Sequence, residues 1–249
     1  MGKIKKVVFA SLGLLVLVGG VLAGTFLIGK NQDFRERAAG VPGKTCSEIA
    51  FSDDFNSKSL DPKYWGITLK PTPNTITLSN GQLTLLLKQA NKDYLVTNDG
   101  VSLKDFIKGN FQASTNFRGV FPENKKYGFT GIEVRNQSGK TGAGVALVRN
   151  GTNYQLATYQ WTNNSNNIPQ YNFLKTAISG TFQNVKIERR GLNISFYWQN
   201  GNQWEKLAST QDIGLVSKPL QIILGIATAT PDKPAPVSGI FDNFSLNCL

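Results

Sequence analysis

The sequence predicts an all-β body of two packed antiparallel sheets, preceded by one N-terminal transmembrane helix. Three observations carry this prediction. Residues 7–28 form an uncharged apolar run, three Asn-Gly pairs separate strand-like runs, and no stretch after residue 47 shows helical spacing.

The apolar run reads VVFASLGLLVLVGGVLAGTFLI. At roughly 1.5 Å of rise per residue it reaches about 33 Å, enough for a hydrocarbon core of about 30 Å. Lys3, Lys5 and Lys6 precede it and favour a cytoplasmic N-terminus at residues 1–6, although Lys30, Arg35 and Arg37 follow closely and weaken the asymmetry. Small residues at Leu22-Ala23-Gly24 leave a cleaved signal peptide as the alternative, but the run exceeds the usual signal core of about 7–15 residues. The expectation is an uncleaved signal anchor with the following chain on the extracytoplasmic side. Residues 29–45 are polar, are interrupted by Gly40, Pro42 and Gly43, and read as a stalk to a domain at 46–249.

The chain carries 27 basic and 16 acidic residues, a formal charge of +11, yet residues 1–44 alone hold seven bases against two acids. In the body the bases are scattered apart from Lys125-Lys126 and Arg189-Arg190, and no basic helix or aromatic-interleaved signature points to nucleic acid. The absence of histidine removes Ser-His-Asp and Cys-His relays and the commonest zinc ligand.

Cys46 opens the body and Cys248 nearly closes it. In an exported chain an even cysteine count suggests a disulfide, which would require the two ends of the domain to be neighbours. Two buried free thiols are the alternative.

Asn80-Gly81, Asn150-Gly151 and Asn200-Gly201 each sit between runs of strand character, where positive φ angles close a type I′ hairpin. Alternation assigns faces: Val185 and Ile187 oppose Lys186, Glu188 and Arg190, and Ile194, Phe196 and Trp198 oppose Tyr197. Likewise Ile132 and Val134 oppose Glu133 and Arg135, and Ile222, Leu224 and Ile226 share one side. About a dozen such strands need a second sheet to cover their apolar faces.

Four segments carry a family resemblance: FSDDFNSKSLDPKYW (51–65), SNGQLTLLL (79–87), VKIERRGLNISFYW (185–198) and GIFDNFSL (239–246). Over residues 47–248 the chain resembles the concanavalin A-like lectin and glucanase superfamily, of laminin G-like and family 16 glycoside hydrolase-like type. The resemblance implies a jelly-roll sandwich with first and last strands side by side. It also implies a structural calcium ion, held by the Asp242 side chain and the main-chain carbonyls of Asp54 and Gly81, an oxygen set that suits calcium.

Hydrolytic relatives of family 16 type carry Glu-x-Asp-x-Glu or Glu-x-Asp-x-x-Glu on one strand, which projects two carboxyls into one cleft. Here Glu133 is followed on its face by Arg135 and Gln137. The pair is missing, so no catalytic residues are expected. The expected ligand is a carbohydrate or cell-surface glycan, bound by the amphipathic rings of Tyr154, Tyr159, Trp161 and Tyr197 with Glu133, Arg135, Gln155, Glu188 and Arg190. Trp65, Trp198 and Trp204 are assigned to core or hairpin packing. The alternatives are a glycoside hydrolase with a displaced acid pair and a structural or protein-contacting surface module.

Overall fold

The computed structural model describes residues 43–69, 75–88, 99–121, 127–150, 153–166, 169–178, 182–228 and 236–249. The expected membrane span at 7–28 and most of the stalk lie outside these. Among the described residues no helix is long and apolar enough to cross a membrane. Gly43–Leu249 forms one compact unit.

In chain order the elements are β1 (Lys44–Thr45), α1 (Cys46–Ile49), β2 (Phe51–Asp53), β3 (Trp65–Ile67), β4 (Thr75–Ser79), β5 (Gln82–Leu87), β6 (Asp99–Leu103), β7 (Ile107–Lys108), β8 (Phe111–Val120) and β9 (Tyr127–Asn136). There follow β10 (Thr141–Asn150), β11 (Asn153–Asn163), β12 (Pro169–Ile178), β13 (Phe182–Arg190), β14 (Asn193–Asn200), β15 (Gln203–Thr210), α2 (Ile213–Val216), β16 (Leu220–Thr228) and β17 (Val237–Cys248). The body is all β, as its alternation predicts.

Two sheets form among the described residues. One runs β1-β7-β16-β9-β10-β11-β12, with β6 also on β16 and β3 on β6; the other runs β15-β14-β13-β8-β17-β5-β4, with β2 on β17. All pairs are antiparallel except the two-residue β1–β7 ladder. The inward rows meet in one core: Ile132, Val134, Val145, Ile222 and Leu224 from the first sheet join Leu83, Phe117, Val185, Ile187 and Phe241 from the second. Each such Leu, Ile, Val or Phe contributes about 1.5–3 kcal/mol by leaving water, which outweighs local propensity.

The hairpins show how turn chemistry sets register. Ser79 pairs with Gln82, so Asn80 and Gly81 are the loop, and both have positive φ, the type I′ pattern expected. The third hairpin is shifted by one residue. Asn200 pairs with Gln203, the loop is Gly201-Asn202, and of its two residues Gly201 alone has positive φ, a pattern of type II′ kind. In the second, Asn150 pairs with Asn153, and loop residues 151–152 lie outside the described set. The Asn-rich stretch 162–170 belongs partly to strands, because β11 extends to Asn163 and β12 begins at Pro169.

The two cysteines form a disulfide, Cys46–Cys248, with Cα atoms 5.6 Å apart. The ladder β2–β17 explains the proximity, since it pairs Phe51 with Leu246. The single-turn α1 escapes any periodicity argument; the backbone N–H and the hydroxyl of Thr45 both donate to Glu48. The neighbours Arg189 and Arg190 part company. Arg190 faces outward and pairs with Glu188, whereas Arg189 is buried and donates to the carbonyls of Val216 and Lys218 at the end of α2.

Candidate functional site

The outward face of the nine-stranded sheet is not wet at its centre, contrary to the alternation reading. Phe129, Ala146, Tyr159, Trp161 and Ala227 form a second apolar cluster there, with Val148 and Tyr171 packed against it. Within it stands Glu133, with Ile132 and Val134 on either side along β9 turned to the main core.

Register explains how the aromatic rings reach this carboxyl. Glu133 pairs with Gly144 on β10, which pairs with Tyr159 on β11; one row along, Arg135 pairs with Gly142 and Gly142 with Trp161. The middle strand is bare at both places. A Cβ on Gly144 would sit 2.6 Å from the Tyr159 hydroxyl, and one on Gly142 would sit 2.5 Å from Trp161 Nε1. Both rings therefore lie across β10. Tyr159 donates to Glu133 Oε2 at 3.0 Å. The indole of Trp161 stands close enough to favour the ionised form of the same carboxyl, yet no hydrogen bond of ordinary geometry joins them, and Glu133 Oε1 and Trp161 Nε1 are both buried without such a partner among the described residues.

Burial pushes the Glu133 carboxyl up to about 7, against the opposing influence of Trp161, Tyr159 and the Arg135 charge, which favour its ionised form. Burial, and then the charge of Glu133, hold the Tyr159 phenol well above its ordinary value. Arg135 is lowered by burial and supported by Glu133; its Nε and Nη2 donate to Gln221 Oε1 at 3.2 and 3.1 Å, while Gln221 Nε2 donates to the Leu103 carbonyl. The arrangement offers a carboxyl that exchanges a proton near neutrality, a fixed cation beside it, and donors aimed at it.

The nine residues expected to bind ligand do not share a surface. Glu133, Arg135, Tyr159 and Trp161 come together, and Gln155 lies on the same face about 13 Å along β11 from Tyr159. Tyr154 alternates inward, packs against the main core and donates to the Phe121 carbonyl. Glu188, Arg190 and Tyr197 belong to the other sheet and face outward on its far side, with the core between. There Lys186 sits over the rings of Tyr197 and Trp204, at 4.5 and 5.0 Å. Trp204 is 41% exposed and so is surface rather than packing, whereas Trp65 is buried and donates to Asp53. Tyr159 and Trp161 are buried too, so neither ring presents an open face.

Sequence reasoning missed Tyr171 and Phe173, which pair with Trp161 and Tyr159 across β12; Phe173 is exposed at the margin of the cluster. Their i, i+2 spacing was the available signal. Gly142, Gly144 and Gln221 gave none, because their roles depend on cross-strand register.

The residues implied for calcium converge elsewhere. Phe244 pairs with Asp53 and Phe241 with Leu83, so Asp242-Asn243 lies between the ends of those two ladders, next to Asp54 and Gly81. The main-chain oxygen of Asp54 and Oδ1 of Asn56 lie 3.4 and 3.0 Å from where a Gly81 Cβ would be. Every non-glycine residue with positive φ among the described residues, Phe55, Asn80 and Asn243, falls at this corner. The Asp54 carboxylate accepts from the Asn56 backbone and side chain, which holds it below its ordinary value.

No family model matches the chain, and no curated protein matches it. Solved structures do. A chain from work on endo-acting O-glycanases that members of the human gut microbiota express to initiate mucin breakdown aligns with TM-score 0.58 and 16% identity, over 81% of this chain and 99% of that one. A glycoside hydrolase family protein from Mycobacterium thermorestibile aligns with TM-score 0.54 and 12% identity, over 80% and 100%. For the GH43 BlXynB protein of Bacillus licheniformis the values are 0.60 and 13%, over 80% of this chain and 39% of that one, so this chain spans well under half of it. At such identities the likeness is one of fold: over about four-fifths of its length this chain has the all-β architecture found in solved glycoside hydrolases.

Proposed function

We propose that the chain is a membrane-tethered, extracytoplasmic protein that binds carbohydrate on the outward face of the nine-stranded sheet, around Glu133, in a concanavalin A-like jelly roll. The observation that carries the reading is the buried Glu133, flanked by Arg135, Tyr159 and Trp161 on glycine-bared strands and bordered by the exposed ring of Phe173. Sugar recognition combines such a ring, for apolar sugar faces, with fixed polar groups for hydroxyls. The structural likeness to glycoside hydrolases supports it at the level of fold. The apolar run at 7–28 is the proposed tether, and the Asp54–Gly81–Asp242 corner, rich in oxygens, the proposed calcium site.

Hydrolysis is the second reading, and the hydrolase neighbours give it more weight than the sequence alone does. Glu133 has the raised carboxyl of a general acid. Against it, hydrolysis by paired carboxyls needs a second acid within about 5–9.5 Å, and the ladder and same-face neighbours of Glu133 are Gly144, Ile223, Gly131 and Arg135. Tyr159 is a poor substitute nucleophile because its phenol is held protonated.

Binding of full-length protein in detergent to a glycan array decides. Capture of one glycan class, lost in Glu133→Gln and Phe173→Ala with folding retained, is the expected result. Release of reducing ends from a bound glycan by the parent but not by Glu133→Gln would establish the hydrolase instead, and an array with no binding would sink both.

A further inference from the structure

We propose that Trp161 Nε1–H and Glu133 Oε1 jointly grip one hydroxyl group, which accepts from the indole and donates to the carboxylate. Where that hydroxyl belongs to a sugar, the inference rests on the carbohydrate reading; the pairing itself does not.

Both atoms are buried, both lack a partner among the described residues, and the indole stands near enough to influence this carboxyl. A buried donor or acceptor left unmet is costly, so two set close together select a group that satisfies both. The two demands are opposite in kind. An indole only donates and an ionised carboxylate only accepts, so an ammonium fails the first and a carbonyl or anion fails the second. A hydroxyl meets both. Its position is fixed because Tyr159 holds the other oxygen, Oε2, and because Gly142 leaves no Cβ to block the indole nitrogen, which would be 2.5 Å away. The hydroxyl comes from a water or from a neutral, hydroxyl-rich glycan.

The test is NMR of the full-length protein in micelles, with the four tryptophan indoles labelled and Trp161 assigned by its loss in Trp161→Phe. Without glycan, the Trp161 indole proton should show magnetisation transfer from water. On addition of xylohexaose or of neutral mucin O-glycan oligosaccharides, a sugar hydroxyl that takes the place should replace that transfer with contacts to sugar protons. Trp161→Phe keeps a ring and removes the donor, and should weaken glycan binding about tenfold while leaving the other three indole signals in place. If none of these glycans binds but the water contact persists and Trp161→Phe moves the Glu133 titration upward, the hydroxyl pair stands on water and the carbohydrate reading fails. An indole proton in contact with neither water nor sugar, or a Trp161→Phe protein that binds glycan like the parent, overturns the proposal. Should that variant not fold, Glu133→Gln decides: an unchanged Trp161 indole resonance also overturns it.

Discussion

The hydroxyl of Tyr159 donates to Glu133 at 3.0 Å from two strands away. Neighbouring strands are about 4.8 Å apart, so the two backbones are separated by nearly 10 Å, and the tyrosine ring spans most of that gap. It can do so only because the intervening position is Gly144. The carboxyl is thereby fixed by a residue with which it shares neither a strand nor a ladder.

Gly144→Val should therefore damage the site and the fold together. Its Cβ would lie 2.6 Å from both the Tyr159 hydroxyl and the Ile132 carbonyl, and the latter is backbone that cannot swing aside. We expect a loss of about 3 kcal/mol in urea unfolding, from overpacking and the broken hydrogen bond. Gly139→Ala is the control: it has positive φ but nothing within 4 Å, so backbone strain alone should cost about 1 kcal/mol.

Stability should fall as the pH is raised from about 4.5 to 7. The Glu133 carboxyl is raised from 4.5 in an ordinary setting to about 7 in the fold. Between these values the native state keeps a proton that the unfolded chain has released, so stability is greatest below the unfolded value and is lost on passing through the folded one. The contribution is at most about 3 kcal/mol. Glu48 and Asp54, exposed and lowered by hydrogen bonds, act only below this window. Thermal midpoints at pH 5 and pH 8 should differ for the parent and converge in Glu133→Gln; an unchanged slope in that variant would place the titration elsewhere.

The fold was legible because period-two alternation reports burial directly: Ile132, Val134, Val185, Ile187, Phe196 and Ile222 all reach the core. The disulfide was legible from cysteine number and placement. The site was half legible. Alternation put Glu133 and Arg135 on one side of β9, and Tyr159 and Trp161 on one side of β11, but alternation does not say which sheet a strand joins. Hence Glu188, Arg190 and Tyr197, which alternate equally well, were grouped with residues on the opposite side of the sandwich. Nor does alternation reveal that an outward face is apolar, as the Phe129–Tyr159–Trp161 cluster makes it.

Reduction of Cys46–Cys248 should lower stability without altering the sheets. The bond joins residues 202 apart, and closing a loop of that size removes unfolded-chain entropy worth about 5 kcal/mol as an upper figure. A Cys46→Ser, Cys248→Ser double variant should unfold at lower urea with an unchanged far-ultraviolet circular dichroism spectrum. Equal midpoints with and without reductant would show that the β2–β17 ladder suffices.

Arg189→Met should loosen the turn after α2. The guanidinium, whose pKa burial lowers, donates to Val216 at 2.6 Å and to Lys218 at 2.8 Å, capping carbonyls that the short helix leaves unmet. Methionine fills the space but donates nothing, so a loss of about 2 kcal/mol is expected, with faster amide hydrogen exchange confined to residues near 213–219. Arg190→Met removes only an exposed ion pair with Glu188 and should cost at most about 1 kcal/mol.

Calcium should raise the thermal midpoint, and Asp242→Asn should abolish the rise. Phe55, Asn80 and Asn243 hold positive φ at 54°, 52° and 51°, a conformation that costs a side-chain-bearing residue about 1–2 kcal/mol each. Phe55 is anchored by its buried ring and Asn80 by its type I′ turn, but Asn243 is exposed and gains neither. An ion drawn to the Asp54 and Gly81 carbonyls and the Asp242 carboxylate would offset that strain by binding only the folded chain. A hundredfold excess over the dissociation constant would then add about 2.7 kcal/mol. Titration of calcium into chelator-treated protein, followed by calorimetry, measures this directly. A midpoint that does not move in the parent, or that rises equally in Asp242→Asn, would remove the ion from this corner.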